Sequence, residues 1–170
     1  NNNTYCQDNE LSWLSWDLDD DARALQRFIR MLVALRRRHP ALRRPCFGDP
    51  FAVDGAGVAG PVGDDITWHG VRPGQPDWSY HSRTLALHVH GEAPDTAVDS
   101  ADDDLFVILS AWTMPLEFAL PPLPPPRRWH RVVDTSLPSP EDIVEDHDAP
   151  RIEGSAYRCP AQTAIVLLGR

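Results

Sequence analysis

Ile66–Arg83 reads ITWHGVRPGQPDWSYHSR, and at this stretch the chain changes character. Upstream of it, apolar residues recur at helical spacing; from it onward they come in short runs closed by Gly, Pro or acidic residues. Ile66–His69 is the first such run, and Gly70, Pro73, Gly74 and Pro76 end it with turn chemistry. Thr84–His90, Leu105–Trp112, Leu116–Leu120, Trp129–Asp134, Ala156–Cys159 and Thr163–Leu168 follow. Short strands at this spacing predict an antiparallel β-sandwich. Seventeen prolines suit a loop-rich β domain. Pro121–Pro126 (PPLPPP) could form a polyproline ligand, but between two strands it is more simply a stiff connector.

Working back from Ile66, Pro45–Asp65 is a connector punctuated by Gly and Pro. Its GAGVAG lacks the GK[ST] ending of a phosphate loop and opens no helix, which argues against nucleotide binding. Further upstream, Leu25, Phe28, Ile29, Leu32 and Leu35 recur at spacings of three and four, one face of an amphipathic helix. Asp19, Asp20 and Asp21 offer N-caps and favourable charge at its start. Arg36, Arg37 and Arg38 suit the negative end of its dipole, and Pro40 stops it. A lone helix of this kind must dock its Leu25/Phe28/Leu32 face on the sandwich, pair with another copy or promote aggregation. Asn1–Asp17 is loop. It opens without methionine and without a hydrophobic lead-in, so it reads as the middle of a functional loop entered from a preceding strand.

The net charge of −9 argues against a nucleic-acid surface, which needs basic stripes, and no apolar run approaches the ~18 residues of a membrane span. Neither nucleic acid nor membrane is expected as a partner. All 16 basic residues are arginine, a bias of coding rather than of chemistry. Cys6, Cys46 and Cys159 show no ligand spacing, so reduced thiols in a cytoplasmic protein are the expectation, with no cofactor.

Three blocks carry a family resemblance. NNNTYCQDNE (Asn1–Glu10) resembles the GNNNxYCQDNE segment that follows the last barrel strand of isoamylase-type glycogen and starch debranching enzymes, α-1,6-glucosidases of glycoside hydrolase family 13. Ile66–Arg83 resembles their WHGxxPGxPDW…SR segment, and Trp129–Val144 (WHRVVDTSLPSPEDIV) their WRRxxDTSxPSPxDI stretch; the final TAIVLL is similar to their closing strand. The resemblance covers nearly the whole chain in the expected order. It implies a C-terminal fragment: residues 1–44 as the last loop and helix of a truncated (β/α)8 barrel, 45–65 as connector and 66–170 as the family's C-terminal β-sandwich. The partner it implies is a branched α-glucan, glycogen or limit dextrin, together with the missing barrel portion of the same polypeptide. The connectors leave open whether the bacterial debranchers or the plant-like isoamylases are nearer.

Retaining glycoside hydrolysis needs two carboxyl groups about 5–5.5 Å apart. The resemblance puts the family's nucleophile, acid/base and stabilising aspartate on barrel strands upstream of Asn1, so no catalytic residue is expected here. The carboxylates at Asp17–Asp21 read as capping, and Glu141 and Asp142 as a second capped turn. Asn3, Tyr5 and Asp8 are the substrate-contact candidates of the opening loop, able to hydrogen-bond sugar hydroxyls or stack on a pyranose face. The competing reading is that the loop's amides satisfy its own backbone. Trp13 and Trp16 are expected to wedge the loop against the helix. The sequon Asn2-Asn3-Thr4 is discounted, since nothing suggests secretion.

Trp68 and Trp129 read as core or interface, while Trp78 is the candidate for an exposed glucan platform. His88 and His90 share a strand face, but without an evident third ligand they read as ordinary histidines and no metal is expected. His69 and His81 are expected to make structural hydrogen bonds. The rival functions are a non-catalytic glucan-binding or structural module, and a related family 13 activity such as a maltooligosyltrehalose hydrolase or a branching enzyme.

Overall fold

A computed structural model describes residues 5–13, 15–43, 66–91 and 102–170. Asn3 and its sequon, Cys46, the GAGVAG connector and most of the Glu92–Asp104 connector lie outside the described residues. Helix α1 runs Asp20–Arg38, within the expected bounds. The Asp19 carboxylate accepts the Ala22 N–H at 2.8 Å, and the His39 N–H still donates to the Leu35 carbonyl as the chain leaves the helix. Pro40 stops the α-helix, but its fixed φ suits a tight turn. A 3₁₀ helix at Pro40–Arg43, which the sequence reading missed, follows directly.

The strands are β1 (Ile66–His69), β2 (Thr84–Val89), β3 (Asp104–Ser110), β4 (Leu116–Ala119), β5 (Trp129–Asp134), β6 (Ala156–Cys159) and β7 (Thr163–Gly169). A five-stranded antiparallel sheet has the order β1-β2-β3-β7-β5, and β4 pairs with β6 in a separate two-stranded sheet. The expected antiparallel sandwich is borne out. The proline run joins β4 to β5 as a connector: the Pro121 carbonyl accepts the Trp129 indole N–H at 2.8 Å, and Leu123 packs against the core.

Strand periodicity gives the large sheet two faces. On one, Ala86, Phe106, Ile108, Ile165 and Leu167 meet Phe118, Leu120 and Cys159 of the small sheet, with Trp129 closing the edge. Phe106, Ile108, Phe118 and Leu167 are wholly buried there. This face is sealed.

The other face is built from three cross-strand rows, and burial falls from row to row. Val89, Leu105 and Leu168 are buried, Leu87, Val107 and Val166 half-buried, and in the last row Leu85 and Ala164 are half-buried while Leu109 is 45% exposed. Ala41 and Leu42 of the 3₁₀ turn cover the buried row. Beside it, Phe28, Met31, Leu32 and Leu35 of α1 pack on Val132, Val133, Ile143 and Leu168. Nothing among the described elements covers the last row.

Of the three fates open to the helix, docking on the sandwich is the one realised, and the expected face is corrected in one respect. Leu25 and Ile29 do not join Phe28, Leu32 and Leu35; with Val33 they form a second, exposed stripe at i, i+4 and i+8. The apolar arc is wider than one contact, and the sheet takes only half of it.

Polar clamps fix the docking. Arg27 pairs with Asp142, donates through Nε to Ser139 Oγ at 3.1 Å and through Nη1 to the Ile143 carbonyl at 3.2 Å. The PSPED segment (Pro138–Asp142) is therefore the socket for the helix as well as a capped turn. Arg38 forks onto Asp146 at 2.8 and 2.9 Å and reaches Glu145. His39, buried, meets Asp102 at 2.8 Å, and the other Asp102 oxygen accepts the Ala41 N–H. Burial opposes charge on His39, yet the Asp102 hydrogen bond and charge outweigh it and raise its pKa; the Asp102 pKa is lowered in turn.

Candidate functional site

The uncovered row is the floor of an open groove of about 660 Å³. Leu85, Leu109 and Ala164 line it from the sheet, Thr135, Gln162 and Thr163 from the strand ends, and Trp78 with Ser82 and Arg83 from the loop after β1. The WHG…PDWS loop is built to hold that wall. Gly74, at φ +68°, turns its N–H onto His69 Nδ1 at 2.7 Å, a conformation glycine adopts without strain. Gly70 lies so close to the Gln75 carbonyl that a Cβ would sit 2.3 Å from its oxygen. Asp77 accepts the Ser79 N–H at 2.9 Å, an Asx turn that sets Trp78 outward. Arg83 Nη1 donates to the Tyr80 and Ser82 carbonyls.

Trp78 is 65% exposed and meets Trp68 edge to face with ring centroids 5.7 Å apart. One indole braces the other, and Trp78 leaves much of its ring in solvent. Trp129 is core, as expected, and Trp68 is the half-buried brace. The hydrogen bond expected of His69 is present; burial, and then the positive potential of His88 and His90, lowers its pKa to about 4, so it is neutral. His81 is exposed and stacks edge-on with Tyr80.

The opening loop is held by its own polar groups. Asn9 Oδ1 accepts the Leu11 N–H at 3.0 Å, Asn9 Nδ2 donates to Gln7 Oε1 and Ser12 Oγ donates to the Asn9 carbonyl. Asp8 Oδ1 accepts the Trp13 indole N–H at 2.8 Å. Trp13 and Trp16 do not wedge the loop against α1: both are exposed, Trp16 at 80%. Tyr5 is likewise exposed. The loop and the Trp78 groove are two separate features of the chain, and nothing among the described contacts joins them.

Each of the buried carboxylates has a structural partner. Asp134 accepts from Tyr157 OH at 2.7 Å and from Ser136 N–H and Oγ, and Tyr157 is in turn pushed above the ordinary phenol range by burial and by that carboxylate. Asp102, Asp142 and Asp146 are committed to the helix clamps. Asp77 is the one carboxylate lining the groove among the described residues, and the Ser79 hydrogen bonds lower its pKa. An acid catalyst requires the opposite, a carboxyl held protonated opposite an ionised one. Among the described residues, no such pair lines the groove.

Sequence reasoning missed Arg27 as the helix clamp and Thr135, Gln162 and Thr163 as groove lining. The second set is invisible in one dimension, because register alone assembles it.

The chain also resembles known proteins. A family model described as "Isoamylase 1-3, C-terminal" matches residues 67–165, more than half of the chain. Isoamylase 1, chloroplastic, of Oryza sativa subsp. japonica is 31% identical over 146 residues, covering 86% of this chain and 15% of its own length. A glycogen operon protein GlgX homolog of Mycobacterium tuberculosis is 32% identical over 177 residues, covering 98% and 23%. Isoamylase of Pseudomonas amyloderamosa is 26% identical over 139 residues, covering 79% and 16%. The chain thus spans only 15–23% of the length of these relatives. With that match over a sheet of this topology, the chain belongs to the isoamylase 1–3 C-terminal domain family.

Proposed function

We propose that the polypeptide to which this chain belongs is a retaining debranching hydrolase acting on α-1,6-glucosidic linkages of glycogen or limit dextrin, and that this chain is a non-catalytic part of it. The observation that carries this reading is the family match over residues 67–165, with relatives named isoamylase and GlgX homolog. The division into residues 1–44 as the end of a catalytic barrel, 45–65 as connector and 66–170 as sandwich belongs to the same proposal. In it, the uncovered row of the large sheet and the outer stripe of α1 face the rest of the polypeptide. Thr135 supports this: it lines both the Trp78 groove and a smaller cleft with Leu25 and Phe28, so the two uncovered apolar surfaces are continuous. A cytoplasmic setting fits the free thiols of Cys6 and Cys159, and no helix among the described residues is long and apolar enough to cross a membrane.

In this arrangement Asn3, Tyr5 and Asp8 contact glucan from the rim of the barrel site. The single test is branch hydrolysis, read as reducing ends released from a limit dextrin. The full polypeptide should release them and residues 1–170 should not. Absence of debranching by the full polypeptide, or its presence in the chain alone, would overturn the proposal.

The outward, braced indole of Trp78 favours a second reading, in which the groove itself holds a glucan chain. Retention of the chain on an amylopectin gel, abolished by Trp78→Ala, would establish it. Passage of the unaltered chain straight through would leave Trp78 to the contact with the rest of the polypeptide.

A further inference from the structure

We propose that His88, His90 and Asp104 form a binding site for a divalent first-row transition ion of the zinc class, at the end of the large sheet away from the Trp78 groove. The sequence pairs the two histidines and offers no third ligand near them. The sheet supplies it: the register Val89↔Leu105 carries Asp104, the first residue of β3, beside His90 just beyond β2.

One ligand atom from each residue lies within 4.8 Å of the other two. His88 Nε2 is 3.2 Å from Asp104 Oδ2, while bonds of ~2.0–2.1 Å at tetrahedral angles place two ligand atoms about 3.3 Å apart. The same pair makes no hydrogen bond of acceptable geometry, and His88 Nε2 is buried away from water. Two polar atoms at that spacing but misaligned for a shared proton are well placed to share an ion. Two imidazoles and a carboxylate suit zinc and its neighbours, and leave a coordination position for water.

The surroundings hold the ligands in place. His90 Nε2 is 2.8 Å from Thr67 Oγ1, a contact that fixes the orientation of the ring. Asp104 Oδ1 accepts the Gly91 N–H at 2.7 Å, and a Cβ on Gly91 would come within 2.0 Å of the Asp102 carbonyl oxygen, so only glycine permits this approach. Trp129 lies edge-on to His88 with centroids 5.4 Å apart, closing one side with apolar surface. The Gly91 N–H on Oδ1 and the Arg127 guanidinium near Oδ2 both favour the ionised carboxylate that a cation needs. Among the described residues Arg127 is the opposing charge in contact, at 3.5 Å from Asp104 Oδ2; its Nε and Nη2 both donate to the Gly169 carbonyl, which anchors the guanidinium when that long contact is given up.

The test is titration of the metal-free 170-residue chain with Zn²⁺ by calorimetry, with Co²⁺ absorption as a second readout. One equivalent should bind, and His90→Gln, at a half-buried position beyond the strand, should weaken binding at least tenfold. Thr67→Val should weaken it a few-fold while leaving all three ligands in place. The Co²⁺ spectrum should show nitrogen and oxygen ligation without a thiolate band, which separates this site from the exposed Cys6. No binding at high-micromolar Zn²⁺, a thiolate band, or affinity unchanged in a folded His90→Gln chain would overturn the proposal. Should His90→Gln fail to fold, the Thr67→Val titration and the Co²⁺ spectrum of the unaltered chain decide it.

Discussion

The two faces of the five-stranded sheet both carry apolar rows and meet opposite fates. One face, with Phe106, Ile108, Ile165 and Leu167, is sealed by the β4–β6 pair and reaches zero exposure. The other, with nine apolar residues in three rows, is covered only where α1 and the 3₁₀ turn reach it, and it opens into the Trp78 groove. Apolar area left in water forgoes roughly 25 cal/mol per Å² of stabilisation. A strand row of Leu, Leu and Ala ending uncovered beside a helix stripe of Leu, Ile and Val is a surface with a use. The sealed face carries the stability of the domain, and under the proposed function the open face meets the rest of the polypeptide.

The largest expected contrast is between Phe106 and Leu109, on the two faces of one strand. Phe106→Ala should cost about 3–5 kcal/mol in urea unfolding, whereas Leu109→Ala should cost less than about 1 kcal/mol. Equal costs would mean that the open face is as structural as the sealed one. Next comes the clamp that holds α1 on the open face. Arg27→Met leaves Asp142 half-buried without its partner, and a loss of about 2 kcal/mol is expected, between the values for exposed and buried pairs. A midpoint unchanged from the parent chain would show that apolar packing alone docks the helix.

A smaller effect separates the faces by pH. His69 on the sealed face has its folded pKa lowered from 6.5 to about 4. The folded state therefore prefers the neutral ring, and this contribution to stability is complete above pH 6.5 and lost as the pH falls toward 4. His39, which clamps the open face, has a raised pKa and the opposite sign: its contribution is complete at low pH and is lost as the pH rises through its folded value. The difference between the urea-midpoint profiles of the parent chain and His69→Gln isolates the first term, and a difference that grows with rising pH would contradict the assignment. The smallest effect belongs to the outer helix stripe. Ile29→Gln should change stability by no more than about 0.5 kcal/mol in urea unfolding, whereas Leu32→Gln, on the docked side, should destabilise the chain measurably.

Much of this architecture is legible in one dimension. Ile66–His69, Trp129–Asp134 and Ala156–Cys159 were bounded correctly because turn residues close them, and the capping aspartates and the arginine run fixed the helix ends. β3 was placed one residue late at its start, because Asp104 reads as a terminator, yet its carboxylate is satisfied by Gly91 and the ladder reaches it. The asymmetry of the faces was not legible. LFVIL is apolar at every position, so periodicity cannot say which side will be sealed. Nor could the arc Leu25–Leu35 reveal which half of itself would dock, since that depends on Ile143 and Leu168, more than 100 positions away. At the candidate site, exposure of Trp78 was readable from its turn-rich setting, while the groove floor and the grouping of Asp104 with the histidines arise from strand register.

Side-chain oxidation by hydroxyl radicals, followed residue by residue, tests the meaning of the open face most directly. The account predicts that Leu25, Ile29, Trp78 and Leu109 react readily in the 170-residue chain and are protected in the full polypeptide, while Phe106 is protected in both. Equal reactivity of those four residues in the two preparations would contradict it.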